Sequence, residues 1–553
     1  MADYAKKLWG VLNSLRGSME VTEYKNYLFP FMYYCYISKK ISELMASELE
    51  NDEISYTEAW ESKNSEGNYD YRDELAQIQK EHYGVVIEPR YLAGNIAQHC
   101  KENVPMFGYG IFIDEFRDAI DAFEDNCTPS FRGTMAVLNL DNHMLGDDPD
   151  TAGVLLAQLF MHSKNVAESL SGDSDSLGDL YEQLMGYFAS SAGKKGGEFY
   201  TPKEMSRLVA KLATHGMTNA KSISDPTCGS GSLLLQAAKE IKSKGGKVGF
   251  MYGQELNNMT SKLARMNMAV HQVSTEDFEI NCCNTLGNDD KIGEFYDVTV
   301  ANPPYSVEWD NGDYRLSDDR FTGYGALAPA KTADLAFVQH IVAHMADEGR
   351  AAILLPHGVL FRGNAEQKIR KTLIETYNIV DAVIGLPANC FYGTGIAVCC
   401  LVLRKDRNGD GKNICFIDAS KYFTKEGKQN RITDEDINRI MDAYSNRTDL
   451  AHFCSVVDIS KVAENDFNLN IPIYVEAEKE VDEHDLGELF KEFEALENKE
   501  RILKAYLNKK LESFGVEYKF NGDFSDIEDT PEIQVTYTDK PDEPVANDLS
   551  ALE

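Results

Sequence analysis

Residues 221–232 read Lys-Ser-Ile-Ser-Asp-Pro-Thr-Cys-Gly-Ser-Gly-Ser, a glycine-rich turn between a β-type run and the helical pattern of residues 233–243. Gly229 and Gly231 permit a tight turn and the close approach of a ligand, because neither carries a Cβ. Asp225 stands at the end of the predicted strand, where its carboxylate can pair with a cationic amine. The turn lacks the lysine of a phosphate-binding loop. It therefore favours a cofactor that bears an ammonium group over one that bears phosphates.

The alternation of strand and helix continues along the chain. Short β-type runs occur at residues 221–224, 248–252, 297–301, 350–355, 379–384 and 396–403, and helical patterns lie at residues 233–243, 258–271 and 335–345. This order predicts an α/β fold with a mostly parallel sheet covered on both faces. Ligands of such sheets bind outside the carboxyl ends of the strands, so the loops after the strands are the expected site.

The segments on either side are predicted to be helical. The N-terminal part has helical apolar spacing, with Leu8, Val11, Leu12 and Leu15 on one face. Residues 168–179 are rich in Ser, Gly and Asp and form a predicted boundary loop. Apolar residues between Leu486 and Phe514 follow a stripe that predicts an amphipathic helix or helical hairpin. We therefore expect a helical domain (1–165), a sheet domain (166–475), a helical segment (476–520) and a mobile acidic tail (521–553).

The composition excludes several classes of protein. The 553 residues carry a formal net charge of −35, which argues against a protein that wraps DNA on a basic face without help, since phosphate contacts supply most of such affinity. The 11 cysteines contain no C-x-x-C pair and predict neither a zinc site nor a disulfide framework. No apolar run is long enough to span a bilayer. A cytoplasmic protein is expected.

Two further predicted strand ends carry polar side chains. Glu255 follows the run 248–252 and is placed to accept hydrogen bonds from both hydroxyls of a ribose. Residues 302–305, Asn-Pro-Pro-Tyr, follow the run 297–301. The prolines stiffen this loop and remove two N–H donors, so that the Asn302 side-chain oxygen and the Pro303 carbonyl can accept both hydrogens of a planar exocyclic amine. Tyr305 can stack on the ring that bears this amine.

A fourth motif precedes the first predicted strand. Residues 197–203 read Gly-Glu-Phe-Tyr-Thr-Pro-Lys. Thr201 is expected to cap a helix that has Pro202 in its first turn and Glu204 three positions after the cap. This structural role is compatible with a role in ligand binding.

In this order, the four motifs resemble those of the S-adenosylmethionine-dependent N6-adenine DNA methyltransferases with Asn-Pro-Pro-Tyr loops. More narrowly, they resemble those of the modification (M) subunits of type I restriction–modification systems. The resemblance covers most of the chain and includes residues 15–18 (Leu-Arg-Gly-Ser), 23–25 (Glu-Tyr-Lys), 262–268, 355–361 and 468–472. The Asn-Pro-Pro-Tyr motif also serves glutamine and guanine methylation and alone fixes only the class of chemistry. Its combination with Phe-Tyr-Thr-Pro and a helical N-terminus is more specific.

The resemblance implies a Rossmann-like methyltransferase domain flanked by an N-terminal helical domain and a C-terminal helical segment. It implies that Asn302, Pro303 and Tyr305 are catalytic, without a metal. Residues implied to bind the cofactor, S-adenosyl-L-methionine, are Glu198, Phe199, Tyr200, Thr201, Pro202, Lys203, Asp225, Gly229, Ser230, Gly231, Ser232, Glu255 and Asn284. Family members often carry an acid at the position of Asn284, near the adenine of the cofactor, and Asp289 is a candidate substitute.

The implied reaction is methylation of adenine at N6 in a specific site of double-stranded DNA, with the base flipped out of the duplex. No base-reading module is evident after residue 403, so a separate specificity (S) subunit is expected to recognise the site. The stripe between Leu486 and Phe514 is its expected docking element, and packing of the stripe on the chain's own domain is nearly as well supported. A second copy of this chain and a restriction (R) subunit are expected in the full complex. The alternatives are a protein-glutamine or RNA methyltransferase, or a catalytically idle assembly subunit.

Overall fold

The computed structural model describes residues 23–146, 148–169, 176–191, 200–287, 289, 291–391, 395–407, 411–427, 429–477, 486–525 and 527. The chain divides into two compact units, Met1–Ala477 and Glu478–Glu553. The predicted helix face at Leu8 to Leu15 and most of the predicted acidic tail lie outside the described residues. So do residues 170–175, in the middle of the predicted boundary loop.

The first unit begins with a helical region, as predicted. Its helices are α1 (Lys25–Glu48), α2 (Tyr56–Glu61), α3 (Arg72–Tyr83), α4 (Ala93–Phe107), α5 (Gly110–Asn126), α6 (Pro149–Ser169) and α7 (Ser176–Ser191). Aromatic side chains of α1 pack against α5 and α6, and the Phe31 ring lies 5.1 Å from Phe116 and 5.7 Å from Phe160. Helix α7 joins this bundle to the sheet region, because the Tyr181 hydroxyl donates to the Leu263 carbonyl at 3.1 Å.

A nine-stranded sheet forms the centre of the sheet region. Its strands are β1 (Ala220–Asp225), β2 (Val248–Glu255), β3 (Phe278–Cys282), β4 (Tyr296–Ala301), β5 (Met345–Pro356), β6 (Val380–Gly385), β7 (Val398–Arg404), β8 (Asn413–Asp418) and β11 (Cys454–Asp458), in the order β11-β8-β6-β7-β5-β4-β1-β2-β3. The strands β3, β2, β1, β4 and β5 are parallel. Antiparallel pairing occurs around β7 and at β11. A separate hairpin is formed by β9 (Thr424–Glu426) and β10 (Gln429–Arg431).

Helices cover both faces of the sheet. They are α8 (Lys203–Ala213), α9 (Ser232–Ser243), α10 (Asn258–Val270), α11 (Asp334–Ala343), α12 (Gly358–Phe361), α13 (Ala365–Lys371), α14 (Asp434–Asn446) and α15 (Ile459–Glu464). Successive side chains of β5 point to opposite faces, so Ala352 and Leu354 join one hydrophobic core while Ile353 and Leu355 join the other. The predicted α/β fold with a parallel-rich, doubly covered sheet is confirmed.

The sheet continues beyond residue 403, where the last predicted strand ends. β8 and β11 extend it beyond β6, with β8 parallel to β6 and β11 antiparallel to β8. Residues Ile414 to Ile417 of β8 are fully buried. The sequence does not predict this strand, because its apolar run is short and polar residues flank it. β3, at the other edge of the sheet, was also not anticipated.

The second unit contains one long helix, α16 (Leu486–Ser513), in agreement with the predicted amphipathic helix. After it the chain folds back: the Asn508 side-chain amide donates to the Phe520 carbonyl at 3.0 Å and accepts from the Phe520 N–H at 2.7 Å. Among the described residues, no helix combines the length and apolar character that crossing a membrane requires. All 11 cysteines are free thiols.

Candidate functional site

The glycine-rich turn after β1 has the geometry that the sequence predicts. Gly229 and Gly231 have φ values of 53° and 78°, in the left-handed region. A Cβ at Gly231 would lie 2.8 Å from the Met268 terminal carbon. The left-handed backbone conformation therefore favours glycine at both positions, and a Cβ at Gly231 would also force the Met268 side chain to move.

Glu255, at the end of β2, holds this turn in place. Its carboxylate accepts from the Gly229 N–H at 3.0 Å and from the Asn257 N–H at 2.7 Å. The Cys228 N–H also donates to the Gln254 carbonyl at 2.7 Å. Burial raises the pKa of the Glu255 carboxyl, and the N–H groups oppose that shift. A carboxylate offers about four acceptor positions, so these two bonds leave capacity for a ligand.

Asp225 lies fully buried at the end of β1. Its Oδ1 accepts from the Thr227 N–H at 2.9 Å. No group within the described part of the chain bonds to its buried Oδ2. Burial raises the pKa of this carboxyl to about 8. A buried acceptor without a partner is unfavourable unless a donor reaches it, and a ligand that carries an ammonium group supplies such a donor.

Asn302 is fixed by hydrogen bonds to Thr201, 101 positions away in the chain, and to Tyr305 in its own loop. Its Nδ2 donates to Thr201 Oγ1 at 3.0 Å, and its Oδ1 accepts from the Tyr305 hydroxyl at 2.7 Å. The amide plane is therefore set from both ends. One lone pair of Oδ1 remains for another donor.

The prediction that Thr201 caps a helix is wrong. Helix α8 begins at Lys203, with Pro202 at the cap position and no side-chain cap. The Thr201 hydroxyl accepts from Asn302 instead, and Glu204 bonds to Arg431 rather than closing a capping box. Thr201 thus contacts the Asn-Pro-Pro-Tyr loop directly.

Tyr305 is partly buried beside this loop. Its ring lies edge-on to Phe391, with centroids 6.3 Å apart, and burial raises the pKa of its phenol well above the usual value. The turn after it is held by Asp334, which accepts from the Ser306 N–H at 2.9 Å. Ser306 itself has a φ of 52°. The bond to Asp334 thus fixes the turn that follows Tyr305.

A cavity of about 950 Å³ adjoins these residues. Glu255, Asn284 and Asn302 line it, together with Pro226, Thr227, Pro304, Trp309 and Phe337. Glu23, Lys25 and Asn26, at the start of α1, line it as well. The sequence signalled these last residues only through the Glu-Tyr-Lys phrase, and no role was assigned to them.

The remaining predicted residues take different positions. Glu198 and Phe199 lie outside the described residues. Tyr200, Pro202 and Pro303 are buried, and Lys203 is exposed and bonds to Asp179 at 3.2 Å. In the glycine-rich turn, Ser230 and Ser232 share a hydrogen bond of 3.0 Å between their hydroxyls.

Asp289 is not available as a substitute for Asn284. Its carboxylate is buried and bonds to the His344 ring at 2.8 Å, with Arg320 at 3.6 Å. Burial opposes ionisation of Asp289, but the bond from His344 lowers its pKa overall. His340 completes a compact cluster. Because the Arg320 guanidinium lies 3.3 Å from His340, this cluster already contains its cation, which disfavours a metal ion there.

Arg320 is a structural residue that the sequence did not reveal. It donates to the Thr285 carbonyl at 2.7 Å and holds Asp318 through two bonds of 2.7 and 2.9 Å. Arg315 donates to the Gly287 carbonyl at 2.9 Å. These arginines join the loop after Tyr305 to the loop that carries Asn284. No local pattern reveals this connection, because the carbonyl groups of Thr285 and Gly287 lie 35 and 28 positions away in the chain.

Comparison with known proteins gives the family. The N-6 DNA methylase family model matches residues 172–483, and the HsdM N-terminal domain model matches residues 4–162. The chain is 32% identical over 532 residues to the type I restriction enzyme MpnII methylase subunit of Mycoplasma pneumoniae, a match that covers 93% of this chain and 96% of that protein.

Solved structures agree with these matches. The methyltransferase subunit of a type I restriction-modification system from Streptococcus thermophilus superposes with a TM-score of 0.77 at 32% identity, over 86% of this chain and 99% of that one. A chain from a study of complex assembly and conformational transition of the type I R-M system shares the fold, with a TM-score of 0.57 at 18% identity over 92% of this chain and 98% of its own length. The chain therefore belongs to the family of type I restriction enzyme methylase subunits, which are N6-adenine DNA methyltransferases.

Proposed function

We propose that this chain transfers the methyl group of S-adenosyl-L-methionine to N6 of an adenine in a specific site of double-stranded DNA, and that a separate specificity subunit selects the site. The observation that carries the proposal is the hydrogen-bonded series Thr201–Asn302–Tyr305. It presents a fixed amide oxygen at the wall of a cavity that Glu255 and Asn284 also line. Genomic DNA as substrate would place the enzyme in the cytoplasm.

The residues present fit the cofactor. The partnerless Oδ2 of Asp225 suits its ammonium group, although Asp225 reaches the cavity only through its neighbours Pro226 and Thr227. Glu255 keeps acceptor capacity for ribose hydroxyls, and Asn284 lines the cavity as an acceptor for an adenine amino group. We assign the same pocket to Glu198, Phe199, Tyr200, Thr201, Pro202, Lys203, Gly229, Ser230, Gly231 and Ser232.

The chain's own residues orient the target base. When bound, the cofactor supplies an activated sulfonium methyl group. Asn302 Oδ1 and the Pro303 carbonyl accept the two N6 hydrogens, which directs the nitrogen lone pair out of the ring plane and stabilises the positive charge that develops on N6. The Tyr305 ring stacks on the flipped base, an interaction worth roughly 1–3 kcal/mol. Once methylated, N6 would carry a positive charge and would release one of its hydrogens as a proton to water, so no side chain needs to act as a strong base.

Site selection is assigned to a partner for two reasons. The formal net charge of −35 opposes approach to phosphates. Helix α16 presents large apolar side chains to solvent, with Phe490 66% and Phe493 56% exposed, and exposed apolar patches commonly mark protein interfaces. We assign residues 476–520 to docking of the specificity subunit, and we expect a second copy of this chain and a restriction subunit in the full complex.

The test compares the chain alone with the chain plus its specificity subunit. We expect cofactor binding in both samples, but site-specific DNA binding and adenine methylation only in the second. Mobility shifts and incorporation of labelled methyl groups on matched and scrambled duplexes measure this. Site-selective binding by the isolated chain, or methylation of protein or RNA instead of DNA, would contradict the proposal.

The docking helix has its own test. The double variant Phe490→Asp and Phe493→Asp should abolish rescue by the specificity subunit and leave cofactor binding intact. Glu494→Ala, a change of an exposed residue on the same helix, is the matched control and should retain the rescue. Equal rescue by both variants would show that α16 is not the docking element.

A further inference from the structure

The β9–β10 hairpin lies at the edge of the sheet that carries the site. β8 is parallel to β6, and both run in the same direction as β4, whose end carries Asn302. The chain therefore leaves β8 at the carboxyl edge of the sheet and forms the hairpin there. No step of the proposed reaction uses this element so far.

One side of the hairpin is bonded to the segment beside Tyr305. The Asn430 N–H donates to the Asn389 carbonyl at 3.0 Å, and the Asn430 side-chain amide donates to the Ala388 carbonyl at 2.8 Å. Phe391, in the same segment, packs edge-on against the Tyr305 ring. The hairpin thus contacts one wall of the target-base site.

A second contact connects the hairpin to the segment that holds Asn302. Arg431 donates to the Glu204 carboxylate at 2.7 Å. Glu204 lies in the first turn of α8, directly after the Thr201-Pro202 segment that holds the Asn302 amide. The hairpin therefore bridges the two segments that position Asn302 and Tyr305.

The hairpin is basic in an acidic protein. Residues 419–431 contain four basic residues and one acidic residue, whereas the whole chain has a net charge of −35. Lys425 is exposed and pairs directly with Asn430 across the two strands. Residues that are directly opposite in a hairpin point to the same face, so the Lys425 side chain extends along the face that Asn430 turns toward the target-base site.

We propose that the β9–β10 hairpin binds the DNA backbone beside the flipped adenine, with Lys425 as a phosphate ligand and Asn430 and Arg431 as positioning residues. This inference rests on the proposed function and names a contact to its substrate. An ammonium group attracts phosphate without reading sequence. The hairpin would therefore hold the strand next to the target base, while the specificity subunit selects the site.

The test uses the complex with its specificity subunit and a duplex that contains the methylated site. DNA affinity is measured between 50 and 300 mM salt (roughly the range in which phosphate contacts dominate) for the wild type, Lys425→Ala, Asn430→Ala and Lys412→Ala. Lys412 is also an exposed lysine and lies directly before β8, at the opposite edge of the sheet. It serves as the matched control.

We expect Lys425→Ala to weaken DNA binding by about five- to tenfold at 0.1 M salt and to lower the slope of log affinity against log salt by about 0.9, the value of one phosphate contact. The loss should be equal on matched and scrambled duplexes. Asn430→Ala should slow methylation with an unchanged slope, because no charge is removed. Lys412→Ala should match the wild type.

Three outcomes would overturn the proposal: Lys425→Ala with the affinity and slope of Lys412→Ala, a loss confined to the matched duplex, or failure of Lys425→Ala to assemble with the specificity subunit on size exclusion. The last would assign the hairpin to a protein partner. Failure of the proposed function is a separate result, since the wild-type complex itself would then not methylate the duplex.

Discussion

The cofactor side and the target side of the site differ in how far apart along the chain their bonded residues lie. On the cofactor side, Glu255 holds the Gly229 N–H from 26 positions away, within one strand–helix–strand unit. On the target side, Asn302 bonds to Thr201 across 101 positions, and Arg431 bonds to Glu204 across 227. The cofactor side can therefore be identified from a local motif. The contacts of the target side form only after the sheet and α8 have assembled.

A large effect on stability is expected where the cofactor side and the target side of the site meet. Arg320→Met should lower the free energy of unfolding by about 3–5 kcal/mol, because the buried Asp289 carboxylate and the partly exposed Asp318 carboxylate would lose the Arg320 guanidinium. Denaturant unfolding measures this, with Arg207→Met, at a half-exposed pair with Asp434, as the control. If both variants lose the same small amount of unfolding free energy, Arg320 does not stabilise the connection between the cofactor side and the target side.

A change confined to the target side should separate binding from chemistry. Asn302→Ala should slow methyl transfer by about 10²–10³-fold, or roughly 2.7–4 kcal/mol, the usual cost of removing one group that stabilises developing charge. Cofactor affinity, measured by calorimetry, should stay unchanged because the amide faces the base. Asn311→Ala, whose amide bonds to the Ala328 carbonyl in the next loop, is the control. Turnover near the original rate would show that Asn302 has another role.

The same contrast explains what the sequence could predict. Regular patterns identified six strands of the sheet, and the glycine-rich turn identified a ligand loop, because these signals are local. The cap assigned to Thr201 was wrong for the opposite reason: the local pattern of a capping box was present, but a distant amide competes for its hydroxyl. Arg320 and the anchors of the hairpin have no local signal, since each bonds to at least one group that the fold brings near from a distant part of the chain.

The roles assigned on the cofactor side can be tested by comparing two of its hydrogen-bond acceptors, Glu255 and Asn284. Glu255→Ala should weaken cofactor binding by about 1.5–3 kcal/mol, the range for hydrogen bonds to a charged group, and Asn284→Ala by about 0.5–1.5 kcal/mol. Glu255 also holds the Gly229 and Asn257 N–H groups, which adds to its effect. Calorimetric titration measures both, with Glu279→Ala on β3 as control. A larger loss at Asn284 would mean that the ribose lies elsewhere.

A change at Asp225 should alter the free energy of unfolding gradually with pH. Its folded-state pKa of about 8 lies above the unfolded value of about 3.9, so the neutral carboxyl is favoured in the folded protein, and this contribution to stability is lost as pH rises from about 4 through about 8. Asp225→Asn stays neutral. Without cofactor, its free energy of unfolding should therefore gain on the wild type by up to about 1.4 kcal/mol per pH unit across that window, then level off.

Denaturant unfolding at several pH values measures the difference in unfolding free energy between Asp225→Asn and the wild type. For the control Asp442→Asn, at an exposed position on α14, this difference should not change with pH. The same Asp225→Asn protein should bind S-adenosyl-L-methionine more weakly, because an amide cannot form an ion pair with its ammonium group. Higher stability together with weaker binding is the signature of a carboxylate that is buried at a cost to the fold for the sake of a ligand. A pH-independent difference with unchanged affinity would instead make Asp225 an ordinary strand-end residue, and the cofactor side would lose its most buried contact.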